Sequence, residues 1–193
     1  MKNAICSCFF SLLVLAPVSA FALPQAGSNE IRIENAVVMQ GLGITGLTHA
    51  KPGTGNSSST VFGMGLAYGR FVTDNIELGS SLSIAYLDAS EASSATCFGL
   101  SPFVRFFNQV SDTAGIFVTG TAGYQIISPE HGSNTNVISV GADVGVEFFI
   151  ADSWSVRLAP MYRYLHESRS AGKTDLTGSE HDYGLSWGLA GYF

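Results

Sequence analysis

From Asp182 to Phe193 the chain sets bulky apolar side chains on alternate positions. Tyr183, Leu185, Trp187 and Leu189 are interleaved with Gly184, Ser186, Gly188 and Ala190. A period of two defines a strand with two unlike faces. The same pattern recurs upstream. Phe62, Met64, Leu66 and Tyr68 oppose Gly63, Gly65, Ala67 and Gly69. Ile76, Leu78, Leu82, Ile84 and Tyr86 oppose Glu77, Gly79, Ser81, Ser83 and Ala85. Phe98, Leu100, Pro102, Val104 and Phe106 oppose Cys97, Gly99, Ser101 and Arg105. Ile138, Val140, Ala142, Val144, Val146 and Phe148 oppose Ser139, Gly141, Asp143, Gly145 and Glu147. Trp154, Val156, Leu158, Pro160, Tyr162 and Tyr164 oppose Ser155, Arg157, Ala159 and Arg163. The second face is too small and too polar to form a core, so the bulky face must look outward.

Turn clusters divide the chain into eight strand-like runs: 31–49, 60–72, 76–88, 96–108, 114–127, 137–150, 154–167 and 182–193. The connections at 73–75 and 151–153 are tight and that at 109–113 is fairly short, whereas 50–59, 89–95, 128–136 and 168–181 are longer and rich in Gly, Ser, Thr and Asn. Run 31–49 alternates poorly around 36–44, which leaves its outward face unassigned. Pro102 lies mid-strand on an outward position, where it removes a ladder donor.

The N-terminus carries Lys2, an apolar run over 9–18 and the small-x-small triplet Ala20, Phe21, Ala22. This reads as a cleaved signal peptide over 1–22, with cleavage after Ala20 as the alternative. The apolar run is too short for a helix to cross about 30 Å of hydrocarbon. Cys6 and Cys8 leave with that segment, so Cys97 alone remains and neither a disulfide scaffold nor a Cys-rich metal site is possible. A net charge of −6 with 12% charged residues argues against nucleic acid as a partner. Beyond the signal no run of about 18 apolar residues remains, yet the mean hydropathy is positive. A closed barrel is the membrane-spanning solution left to such a chain. The expected fold is therefore all-β: an eight-stranded antiparallel up-and-down transmembrane β-barrel over 23–193, with both mature termini periplasmic. A soluble lipid-binding barrel would need the reverse polarity.

The inward positions collect Glu77, Arg105, Asp143, Glu147, Arg157 and Arg163. In an eight-stranded barrel, wide enough only to be filled by side chains, these are expected to form a salt-bridge plug; a narrow pore is the other reading. Phe71, Phe106, Phe148, Trp154 and Phe193 at one border, and Phe62, Tyr86, Tyr124 and Tyr164 at the other, suggest two aromatic girdles.

Three stretches carry a resemblance: 98–107, 145–164 and 183–193. On these the mature chain resembles the small outer-membrane β-barrel family of Gram-negative bacteria: the OmpA membrane domain, OmpX-type proteins and porin-like surface antigens. The resemblance implies an outer-membrane location among lipid and lipopolysaccharide. It also implies recognition of the last strand by the assembly machinery through Ser186, Gly188 and Phe193, although Gly191 stands where that family has a bulky apolar residue. The family includes structural, adhesive, immune-evasive and enzymatic members, so the fold does not give the activity.

His166 and Ser168 stand at i and i+2, in phase with Tyr162 and Tyr164, with Glu180 across the following loop. A serine, a histidine and an orienting carboxylate are the elements of acyl transfer. This stretch resembles that of lipid A 3-O-deacylases. The resemblance implies Ser168 as nucleophile, His166 as base and Glu180 as its orienter, acting on an ester-linked acyl chain of lipopolysaccharide. Arg169 replaces the Asn usual after the serine, and Glu180 falls on the inward parity counted from Phe193. His131 and His181 lie in separate expected loops with no third ligand at ligand-like spacing, so no metal and no cofactor is expected. The reading favoured by the sequence is a non-enzymatic structural and surface-interaction protein, whose loops 50–59, 128–136 and 168–181 present polar surface to host, matrix or neighbouring lipopolysaccharide.

Overall fold

The computed structural model describes residues 24–40, 43–45, 48–50, 59–89, 94–171 and 174–193. The segment 1–22, read above as a signal peptide, lies outside the described residues. The strands are β1 (Asn29–Gln40), β2 (Gly43–Thr45), β3 (Thr48–Ala50), β4 (Ser59–Phe71), β5 (Ile76–Ala89), β6 (Ala95–Ser111), β7 (Ala114–Pro129), β8 (Thr135–Ala151), β9 (Trp154–Ala171) and β10 (Thr174–Tyr192). Each long strand pairs antiparallel with its sequence neighbour from β4 to β10, and β1 pairs with both β10 and β4, which closes the sheet into an eight-stranded barrel. β2 and β3 extend the free edges of β1 and β4 near the loop end. The run expected over 31–49 is thus one long strand followed by two short ones.

The polarity is inside-out. Leu82, Val144 and Leu158 are exposed on the outer wall, with Leu66, Ile84, Phe98, Leu100, Ile138, Val140, Leu185 and Trp187. Their alternation partners Glu77, Arg105, Glu147, Ser155 and Arg157 are buried inside. Pro102 and the corresponding Pro160 are accommodated locally. The β6–β7 ladder lapses between Leu100–Tyr124 and Phe103–Thr121, and the β8–β9 ladder lapses between Asp143–Met161 and Val146–Leu158, with the register kept across each gap. A proline without an N–H leaves one neighbour unbonded and does not shift the strand.

Two details differ from the sequence reading. β9 and β10 stay paired to Ala171–Thr174, through most of the stretch read as loop 168–181. Hydrogen bonding continues there although the apolar alternation has stopped. Phe71 is fully buried in the lumen instead of joining a girdle, because it shares its parity with Gly69 and Ala67.

The termini and the tight turns lie at one end of the barrel. There Asn29 and Phe193 exchange backbone hydrogen bonds of 2.8 and 3.0 Å. The connection 130–134 between β7 and β8 lies at the other end.

Candidate functional site

Near the turn end a ring of aromatics stands in the lumen, one from every second strand: Phe71 (β4), Phe107 (β6), Phe149 (β8) and Tyr192 (β10). Adjacent ring centroids are 6.2 Å (Phe71–Phe107), 6.2 Å (Phe107–Phe149), 6.0 Å (Phe149–Tyr192) and 6.3 Å (Tyr192–Phe71), so the circle is complete. The first two are edge-on at 84° and 88°, the arrangement favoured by the ring quadrupoles. Glycines make room for this layer. A Cβ on Gly115 would meet the Phe107 ring, and one on Gly69 would fall on the Glu77 carboxylate.

Arg105 sits against this floor. Its guanidinium is 5.5 Å from the Phe71 centroid, 5.9 Å from Phe107 and 5.8 Å from Phe117. Nε is 2.6 Å from Glu77 Oε2, Nη1 is 3.3 Å from Glu147 Oε2, and Nη2 pairs with Glu30 Oε2. Glu30 also pairs with Arg32, whose Nε reaches Glu34 Oε2 at 2.8 Å. Arg157 lies 3.8 Å from both Glu30 and Glu147, and its guanidinium is 4.0 Å from the Phe117 centroid. Four carboxylates therefore share three guanidiniums, and the hydroxyls of Tyr192 and Ser155 both donate to Glu147 Oε1. Buried charges are tolerable only when paired and hydrogen-bonded. Here Arg105 forms ion pairs with three carboxylates at once, hydrogen-bonding Glu30 and Glu147 while the Glu77 contact at Nε is a close ion pair without hydrogen-bond alignment.

Of the six inward charges named from the sequence, Glu77, Arg105, Glu147 and Arg157 meet in this cluster. Asp143 and Arg163 stand apart, further toward the loop end, with no ion pair to it among the described residues. Arg163 faces Asp182 across β10 in the ladder, and Asp143 faces Thr119 across β7. Glu30, Arg32, Glu34, Phe107, Phe117 and Tyr192 were not anticipated. The signal for the rings was present: Phe106–Phe107, Phe148–Phe149 and Tyr192–Phe193 are adjacent aromatic pairs at strand ends. In each pair one ring faces outward and the other faces the lumen.

Of the residues named for assembly recognition, Ser186 and Gly188 lie on β10 and Phe193 directly follows it. Ser186 is half-buried and donates to the Ala159 carbonyl at 3.1 Å. Gly188 is buried beside the Ile33 carbonyl, and Phe193 is exposed.

The residues named for acyl transfer lie at the loop end of β9 and β10. His166 pairs in register with Ser179, and Ser168 with Thr177. His166 Nδ1 is 3.3 Å from Ser179 Oγ, which accepts from the Tyr164 hydroxyl at 3.0 Å. Tyr162 Oη lies 2.8 Å from His181 Nδ1. Glu180 pairs in register with Leu165, so its position belongs to the sheet face opposite His166. Among the described residues no group of three His, Cys, Asp or Glu could hold a metal.

No family model and no curated protein matches this sequence. Solved structures do resemble it in fold. Neisserial surface protein A aligns at 14% identity and TM-score 0.54, covering 86% of this chain and 96% of that one. Outer membrane protein OprG from Pseudomonas aeruginosa aligns at 9% identity and TM-score 0.53, covering 88% and 97%. The outer membrane protein AlkL, solved by solid-state NMR in DMPC lipid bilayers, aligns at 12% identity and TM-score 0.51, covering 92% and 95%. The fold of this chain is that of the small eight-stranded outer-membrane β-barrels.

Proposed function

We propose that this chain is an integral outer-membrane protein with a structural and surface-interaction role. Its lumen is closed, and its working surfaces are its loops and its outer wall. The segment 1–22 directs export, the mature termini lie in the periplasm, and β10 with Ser186, Gly188 and Phe193 presents itself to the assembly machinery. The membrane placement is supported by the continuous apolar outer wall, which far exceeds the few hundred Å² of apolar patch that a soluble monomer exposes. The observation that carries the closed lumen is the Arg105 cluster seated on the four-ring floor. In a barrel wide enough only to be filled by side chains, these two layers support a lumen without a water column.

Conductance in a planar bilayer tests this. Purified protein is expected to give no stable discrete openings. Reproducible unitary steps would replace the plug with a narrow pore. A second experiment addresses lipid A 3-deacylation. Lipid A from cells expressing the wild type or Ser168→Ala is expected to have the same mass profile. Loss of an ester-linked acyl chain with the wild type alone would make this an enzyme.

A further inference from the structure

We propose that Arg70, on the outer wall of β4 near the turn end, is a docking site for the phosphate of a glycerophospholipid in the leaflet at that end. With the termini periplasmic, that leaflet is the inner one. The inference rests on the membrane placement and orientation proposed above.

The first observation is where the charge stands. Arg70 is exposed and shares its parity with Leu66, Tyr68 and Val72, while Ala67, Gly69 and Phe71 are buried on the luminal parity. Its ladder neighbours are Asn29 on β1 and Leu78 on β5. Val72, the next outward residue toward the turn, is 50% exposed, and Leu78 is 49% exposed, with exposed Ile76 beyond it on β5. Arg70 therefore springs from inside the apolar wall, one outward position short of its turn-end border. An arginine so placed lays its stem along apolar surface and carries its charged head to the level of the headgroups.

The second observation is that no protein anion meets this charge. Among the described residues no carboxylate lies within ion-pair distance of Arg70. Arg32, Arg105 and Arg157 are engaged in the lumen, Arg163 stands on the luminal parity and Arg169 lies at the loop end of β9. Arg70 is thus the one base on the outer wall toward the turn end among the described residues. Oδ1 of Asp74, the nearest acid in sequence, accepts from the backbone N–H of Ala26 at 2.9 Å. Beside Arg70 the outward face offers a phenol and an amide, which bond each other: the Tyr68 hydroxyl donates to Asn29 Oδ1 at 2.9 Å. The exposed turn residues Asp74, Asp112 and Asp152 repel an anion at the tip of the barrel, which leaves Arg70 as its point of attachment. A permanently charged, unpaired fork at the border of the acyl chains fits an anion that presents two oxygens at that depth. The lipid phosphodiester does so, and a guanidinium takes it bidentately.

The test uses the full-length barrel folded in mixed micelles, with native mass spectrometry reading the lipid retained. The probes are a diacyl phosphatidylglycerol, the matching diacylglycerol without phosphate, and inorganic phosphate. Arg70→Met is expected to lower retention of phosphatidylglycerol roughly tenfold, the effect of losing a charge-assisted contact. Its retention of diacylglycerol should equal that of the wild type. Arg70→Lys keeps the charge without the fork and should lose less. Arg169→Met, at the opposite end, should retain phosphatidylglycerol as the wild type does. Folding of each variant is checked by heat-modifiable gel mobility, and Arg70→Gln serves if Arg70→Met fails to fold. Equal retention of phosphatidylglycerol by the wild type and Arg70→Met overturns the proposal, as does a loss that follows Arg169→Met instead. Inorganic phosphate bound as tightly as the phospholipid would overturn the lipid as occupant. A wild type that inserts in no lipid at all would instead overturn the membrane placement.

Discussion

Arg105→Met is expected to lower the unfolding free energy of the barrel in lipid by about 3–5 kcal/mol, the cost of removing one partner from a buried ion pair. The loss is large because Arg105 is fully buried and serves Glu30, Glu77 and Glu147 together. Without it, the buried carboxylates of Glu30, Glu77 and Glu147 keep, among the described residues, Arg32, Arg157 and the hydroxyls of Tyr192 and Ser155. Urea titration followed by tryptophan fluorescence measures the change. The double variant Arg105→Met/Glu77→Gln removes one orphaned charge and should recover part of the loss, so the two substitutions should be non-additive. Arg105→Lys restores the charge without the fork and should fall between wild type and Arg105→Met. An Arg105→Met barrel as stable as the wild type would mean that the cluster does not hold the lumen together.

Phe107→Ala is expected to cost a similar amount, about 3–5 kcal/mol, through lost burial and the cavity left behind. Phe107 is 1% exposed, makes edge-on contacts with Phe71 and Phe149, and packs over the space left by Gly115. Its removal opens the aromatic circle directly below Arg105. Phe107→Leu fills most of the gap and should lose much less. The neighbouring Phe106 is the internal control. It is 53% exposed on the outer wall, so Phe106→Leu exchanges one lipid-facing apolar group for another and should leave stability nearly unchanged.

How much of this the sequence contained depends on the strand. On β8 the sorting is nearly complete, because Val140, Val144 and Val146 must be bulky for lipid while Gly141 and Gly145 must be small for a narrow lumen. On β1 it fails. Ala36, Val37, Val38 and Met39 are apolar on both parities, which hides the face. Glu30, Arg32 and Glu34 alternate cleanly, but three charges on one face look like solvent-facing residues until the barrel closes over them. The aromatic floor was obscured because each inward ring has an outward aromatic or apolar neighbour, so counting aromatics at strand ends merges floor with girdle. Parity would have separated Phe71 from Val72 and Phe107 from Phe106. The loop end was misread for another reason. Where strands emerge from lipid, neither face has to be apolar, so the period of two disappears while β9 and β10 remain hydrogen-bonded. The contact between His166 and Ser179 is a consequence of that extended ladder, and no local spacing could have announced it.

The account depends most on which face of the wall touches lipid. Spin labels placed singly along β8 from Ser139 to Phe148, with the barrel in bilayers, measure this through relaxation by dissolved oxygen, which concentrates in hydrocarbon. Labels at Val140, Ala142, Val144, Val146 and Phe148 should show high oxygen collision rates, with low rates at Ser139, Gly141, Asp143, Gly145 and Glu147. The opposite phase, or rates without a two-residue period, would contradict it.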